Sequence, residues 1–192
     1  MTEDHRPSRE RRRFLLTAAG AGFAAGAPAR VLAQPADGRA LPVNWDATFD
    51  VIGIGSGFAG CAAAAAAAEA GSAVAVLEKM SVAGGNSAIN LGDYAAWDSS
   101  LHLRRKFNLG DDSPAQHARD MLEAGDGYSN PALVDVLVNG APAALDWMIE
   151  RGGLKLRDVI HRQGSSSYRM HYGPSGRGID YIVALRRIAG AH

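Results

Sequence analysis

The chain has 192 residues with 20 basic and 20 acidic side chains, so the formal charge is zero and the basic excess of a nucleic-acid binder is absent. Its length suits one domain, and its many glycines and few aromatics favour tight turns over an aromatic-rich binding surface. A single cysteine, Cys61, excludes an internal disulfide, a Cys-x-x-Cys-His haem attachment and a cysteine-based zinc cluster.

The first 33 residues read as an address. Arg11, Arg12 and Arg13 precede Phe14-Leu15-Leu16, and an apolar run follows to about Ala27. That run is far below the ~20 residues needed to span a bilayer. Small residues lead to Val31-Leu32-Ala33, which suits a cleavage site. Arg11-Arg12-x-Phe14-Leu15 resembles the twin-arginine signal, which would hand a folded protein to the twin-arginine translocon and place it in the periplasm. A basic tail or an ordinary secretory signal is the alternative. Six of the 20 basic and three of the 20 acidic residues lie in this segment, leaving 34–192 with a net charge of about −3. Residues 34–45, rich in Pro, Gly and Ala from Gln34 to Val43, read as a linker.

Phe49 to Ile54 reads as a buried parallel strand, apolar on both faces. Gly55-x-Gly57-x-x-Gly60 comes directly off its end, an alanine-rich helix is expected from Ala59 to Ala70 with Gly71 as its stop, and "SAVAVLEK" supplies a second strand ending at Glu78. Gly55 permits the tight turn, Gly57 leaves the backbone open to a pyrophosphate, and Gly60 lets helix and strand pack closely. The helix N-terminus, Ala59 included, offers N–H groups and partial positive charge to that pyrophosphate. Glu78, 23 residues after Gly55, can accept hydrogen bonds from both ribose hydroxyls of an adenosine and would repel a 2′-phosphate. A lone glycine fingerprint is weak. Strand, helix, second strand and acid in order point to a dinucleotide, against the alternative of a packing turn without nucleotide.

Glu78-Lys79 is followed by Gly84-Gly85-Asn86-Ser87, Gly92 and Ala95-Ala96-Trp97. Gly84-Gly85 again permits close backbone approach, and Asn86 and Ser87 supply short hydrogen-bonding groups. This run resembles the flavoprotein subunits of fumarate reductases and succinate dehydrogenases, and more closely their soluble branch, the flavocytochrome c and urocanate reductase-like enzymes. Asn130-Pro131-Ala132-Leu133-Val134, Asp146-Trp147-Met148 and the stretch Tyr168 to Leu185 extend the likeness over about 47–190. The resemblance implies an α/β, Rossmann-like FAD-binding domain over 46–192, incomplete at its C-terminus. It implies FAD contacts from Gly55, Gly57, Ala59, Gly60, Glu78, Lys79, Gly85, Asn86, Ser87 and Gly92. Leu91-Gly92-Asp93 departs from the family pattern, which often has Gly-Gly and one residue more.

Asp112-Ser113-Pro114 and Asn130-Pro131 are helix starts, a capping side chain followed by proline at the first helical position. The helices are expected to run to about Glu123 and about Arg151. In the second, Leu133, Val136, Leu137, Ala144, Leu145 and Met148 recur at helical spacing as a core face, with Trp147 as an anchor. The stretch 153–178 reads as a glycine-rich segment before a helix from about Ile179. There Arg169, His171, Ser175 and Arg177 suit either carboxylate binding, with Gly92 beside them, or a solvated loop. The remaining histidines show no metal spacing, and no metal is expected.

The family resemblance further implies hydride transfer from reduced flavin to the C=C bond of a small unsaturated acid, with electrons from an outside donor such as a cytochrome. It places the catalytic arginine beyond His192. The chain alone is therefore expected to bind FAD weakly if at all and to be inactive. A flavin dehydrogenase for another skeleton, such as a ketosteroid, and a non-catalytic remnant are the other readings.

Overall fold

The structure, a computed structural model, describes residues 45–158, 160–162 and 164–191. The expected export signal and nearly all of the expected linker lie outside the described residues. Asp46 onward forms a unit of its own.

Two short apolar runs, β1 (Val51–Ile54) and β2 (Val74–Leu77), pair in parallel from Val51↔Val74 to Ile54↔Leu77. Gly55 N–H extends the ladder to Leu77 O at 2.7 Å. Between them lies α1 (Phe58–Glu69), whose buried side is Cys61, Ala64, Ala65 and Ala68. These small side chains let the helix lie close to the strands and to the last helix, α6 (Ile179–Ala189). The expected βαβ unit is therefore present, as an α/β arrangement with a parallel sheet. The expectation that β1 is buried on both faces fails: Ile52 is 56% and Ile54 89% exposed, and in β2 Leu77 is 57% exposed. Among the described residues each strand has only the other as ladder partner, and α1 covers one side of the pair.

After β2 the chain forms a short helix α2 (Gly85–Ile89), strand β3 (Tyr94–Ala95) and helix α3 (Leu103–Lys106). Helices α4 (Pro114–Ala124) and α5 (Pro131–Glu150) follow. Both start as their sequence signals predict. Ser113 Oγ accepts from Gln116 N–H at 3.1 Å, and Asn130 Oδ1 from Ala132 N–H at 3.0 Å. Strands β4 (Ile160–His161) and β5 (Met170–His171) complete a three-stranded antiparallel sheet in the order β3-β5-β4.

The core lies where α1, α5 and α6 meet, with Leu145 and Ile182 fully enclosed. Each such side chain contributes about 1.5–3 kcal/mol relative to exposure. The expected core face of α5 needs correction. Its buried stripe is Val134, Val138, Ala141, Leu145 and Met148, while Leu133, Val136 and Leu137 face outward at 68%, 71% and 46% exposure and Ala144 is exposed too. The first half of α5 is apolar nearly all round, so periodicity alone could not choose the face that meets α4.

Pro142 sits inside α5 and cannot donate to Val138 O. The Trp97 indole N–H takes that carbonyl instead, at 2.9 Å, and the Tyr94 hydroxyl donates to the neighbouring Ala141 O at 3.0 Å. The segment around β3 is thus fastened to α5 where the helical ladder is broken.

Candidate functional site

The site begins at the C-terminal ends of β1 and β2. Gly55 turns the chain at φ 94°, and Gly57 is the N-cap of α1 with no side chain to offer. Gly60 is sterically required: a Cβ there would lie 2.0 Å from Gly55 O, so any other residue forces helix and turn apart. The first α1 bond runs from Cys61 N–H to Gly57 O at 2.9 Å, so the amides before it have no helical acceptor. One of them, Phe58 N–H, donates to Ser87 Oγ at 3.1 Å. Ser87 comes from α2, so the sequence-predicted run Gly84–Ser87 folds over the glycine turn.

Glu78 follows β2 and faces the same turn. Its Oε2 accepts from Ser56 Oγ at 2.5 Å and Ser56 N–H at 3.1 Å, and its Oε1 from Met80 N–H at 3.0 Å. The Ser56 hydroxyl bond, then the Met80 and Ser56 amides, pull the carboxyl pKa down to about 2. Ser56 Oγ also accepts from Gly84 N–H at 2.8 Å, which joins the two glycine runs through one hydroxyl. Sequence reasoning missed Ser56. The available signal was a buried-sized hydroxyl inside the glycine turn, facing an acid at the next strand end.

Beside this cluster opens a cleft of about 510 Å³, lined by Ser56, Glu78, Met80, Ser81 and, from the end of α6, Arg186 and Gly190. Cys61 also reaches it. Burial raises the Cys61 pKa, and its thiol donates to Ser56 O at 3.1 Å, so it acts as a neutral fastening of the turn.

Lys79, Gly85 and Asn86 are exposed, as is Ala59 on the first turn of α1. Gly92 is buried at φ 68°, and a Cβ there would meet the Arg177 carbonyl carbon at 2.5 Å. Gly92 therefore lies against the loop before α6, which is also held by Gly178 N–H donating to Asn90 O at 3.2 Å.

Arg169 and His171 are elsewhere. Arg169 is 1% exposed and forks onto Asp112, with Nε to Oδ2 and Nη2 to Oδ1 both at 2.8 Å. Its Nη1 lies 2.9 Å from Asp120 Oδ2, an ion-pair contact outside hydrogen-bond geometry. Burial alone would raise the Asp120 pKa, but Ser166, Gln116 and Arg169 together hold it below the usual range. His171 is buried, which lowers its pKa against the opposing pull of the Arg169 and Tyr94 backbone, and its Nδ1 lies 3.0 Å from Arg169 O. His171 pairs with Tyr94 in the ladder, two residues from Gly92, and Tyr181 joins the two, its hydroxyl 3.0 Å from Gly92 O and 2.9 Å from His171 O. Among the described residues no group of three or more acidic, histidine or cysteine side chains could hold a metal ion.

What the cluster offers chemically is a row of backbone amides at a helix start, a glycine surface without side chains, and an ionised carboxylate beside them. Those features fit an adenosine diphosphate moiety, with phosphate oxygens on the amides and ribose hydroxyls on the carboxylate.

The comparisons with known proteins agree. Residues 50–180 match the FAD binding domain family. The chain is 40% identical over 135 residues to the acrylate reductase flavoprotein subunit of Shewanella woodyi, covering 70% of this chain and 25% of that protein. It is 36% identical over 133 residues to the fumarate reductase (cytochrome) of Shewanella frigidimarina, covering 69% and 22%. It is 39% identical over 105 residues to the urocanate reductase of Eggerthella lenta, covering 55% and 17%. The chain thus spans about a quarter of the length of the curated relatives it matches. Among solved structures, the open conformation of a flavocytochrome c3 fumarate reductase superposes with a TM-score of 0.67 at 23% identity, over 100% of this chain and 29% of that one. A 3-ketosteroid-Δ4-(5α)-dehydrogenase from Rhodococcus jostii superposes with a TM-score of 0.65 at 21% identity, over 78% and 37%. These two likenesses speak for the fold. With its glycine turn, the acid at the second strand end and a family match over most of its length, the chain belongs to the FAD-binding domain family.

Proposed function

We propose that this chain grips the adenosine diphosphate half of FAD within a flavin-dependent reductase of α,β-unsaturated carboxylic acids. The observation that carries the reading is the convergence of Glu78, Ser56, Gly84 and Ser87 on the start of α1. Gly55, Gly57 and Gly60 clear space for the pyrophosphate, and the Ala59 region supplies amides. Glu78 holds the ribose. Gly85, Asn86 and Ser87 continue the grip, with Lys79 offering positive charge to a phosphate, and Gly92 lets the Arg177 backbone close in on the segment that would face the flavin ring. Bound flavin supplies two-electron chemistry at its ring; this chain's residues bind and orient it and exclude side chains from its path.

The substrate class follows from the sequence relatives, whose names specify acrylate, fumarate and urocanate, each a carboxylate conjugated to a double bond. An outside donor, a cytochrome or another redox protein, supplies the electrons. Export through the twin-arginine translocon to the periplasm is the reading that best fits Arg11-Arg12-x-Phe14-Leu15.

The test is a titration of the chain with FAD followed by ligand-observed NMR, which reads affinities as weak as millimolar. Saturable binding is expected, competed by ADP, and Glu78→Gln weakens it by about tenfold or more, as loss of a charged hydrogen-bond partner does. FAD binding that is unchanged in Glu78→Gln, or no FAD signal at all, would refute the reading.

A further inference from the structure

We infer that α4 is a pH-sensitive latch, held down by neutral His117 and released when that ring takes up a proton. His117 is the one fully buried side chain of α4, at 3% exposure. A surface helix docks through an apolar stripe, and here the enclosed position is an ionisable ring. Its Nδ1 is buried with no hydrogen-bond partner among the described residues. A neutral ring can leave one nitrogen as an unshared acceptor. The imidazolium carries an N–H on both nitrogens, so protonation puts a donor and a charge where no partner waits.

The charges that act on the ring are Arg169, directly before β5, and Asp112 and Asp120, ahead of α4 and within it. Both carboxylates are already committed. Asp112 takes the Arg169 fork on its two oxygens. Asp120 Oδ1 accepts from Gln116 Nε2 at 3.0 Å, and its Oδ2 from Ser166 N–H at 2.9 Å and Ser166 Oγ at 2.7 Å. A proton on His117 therefore adds a second cation near Arg169 with no acceptor of its own. Burial first, then Arg169, lower the His117 pKa against the opposing pull of the two carboxylates. The latch closes on the three-stranded sheet, because Arg169 N–H donates to His161 O at 3.1 Å and Arg169 O accepts from Ala96 N–H at 3.0 Å. None of these groups lines the cleft beside Glu78. A histidine with a lowered folded pKa contributes stability that is complete above its ordinary 6.5 and is lost as pH falls below it. From there down to the folded pKa, each pH unit raises the opening constant of α4 about tenfold, for the one proton taken up on opening.

The experiment uses the whole 192-residue chain. NMR follows the His117 ring against pH, and hydrogen exchange gives the protection of the α4 amides, corrected for the intrinsic pH dependence of exchange. The ring is expected to stay neutral in the folded chain at pH 6.5. Protection of α4 is expected to fall about tenfold per pH unit below that value. His117→Phe and His117→Leu keep the position filled and cannot titrate, so a folded variant should lose this slope. His171, also buried, is present in parent and variants alike, so the difference between them belongs to His117. Circular dichroism identifies which variants fold, and should neither fold, the ring titration in the parent decides. A His117 midpoint at or above 6.5 in the folded chain, α4 protection that does not change with pH, or the same slope in a folded variant overturns the proposal.

Discussion

At the scale of single residues, Glu78 is the most informative. Its folded pKa of about 2 lies below the ordinary 4.5. A depressed carboxyl contributes stability that is full above the ordinary pKa and is lost as pH falls through the folded value. The window for this group is therefore from about 4.5 down to about 2. Carboxyl carbon NMR shifts of the folded chain should place the Glu78 midpoint near the bottom of that window. Ser56→Ala, which removes the first of its donors, should move the midpoint back up. A midpoint at the ordinary value in the parent chain would contradict the bonded geometry. Glu78 itself was legible from sequence, because an acid at the end of the second strand is a local pattern. Its control by Ser56 was not, because it depends on which rotamers meet across the turn. Arg169 was legible as a charged residue in a glycine-rich stretch, and its buried pairing was not. Its partners Asp112 and Asp120 lie 57 and 49 positions earlier, and nothing in the local spacing brings them together.

At the scale of elements, sequence signals succeeded where the physics is local. The caps of α4 and α5 and the glycine turn depend on neighbours within a few positions, and the two parallel strands, paired 23 positions apart, follow from the short helix between them. They failed where a face had to be chosen, as in the apolar first half of α5. They were also silent on how a proline is tolerated within that helix. Trp97 supplies the answer by donating to Val138 O, the carbonyl that Pro142 leaves without a helical donor. Trp97→Phe keeps much of the ring packing but strands a partly buried carbonyl, so it should destabilise the chain by about 1–3 kcal/mol. Urea unfolding gives the measurement, as a lower midpoint with an unchanged slope. A midpoint within error of the parent would mean that water replaces the indole without loss.

At the scale of the whole described unit, two sheets that do not pair with each other must be held in register with the helices. Tyr181 does this near Gly92, and Trp147 and Arg151 do it at the other end by donating to Glu69 of α1. The Arg169 fork onto Asp112 attaches β5 to the start of α4. Both side chains of that pair are almost wholly enclosed, at 1% and 0% exposure. Removing one partner leaves the other charge buried and alone, which costs about 3–5 kcal/mol. Arg169→Met should therefore lower the thermal midpoint sharply. Arg169→Met combined with Asp112→Leu should recover much of the loss, since a well-packed apolar pair can substitute for a buried ionic one. Equal melting of the single variant and the parent would show that the fork contributes nothing.

The hydroxyl of Ser87 rests on the Phe58 amide. In the proposed complex a phosphate oxygen at that N–H would replace the serine as acceptor, so this amide exchanges one partner for another, whereas the Ala59 and Gly60 amides have no helical acceptor to give up.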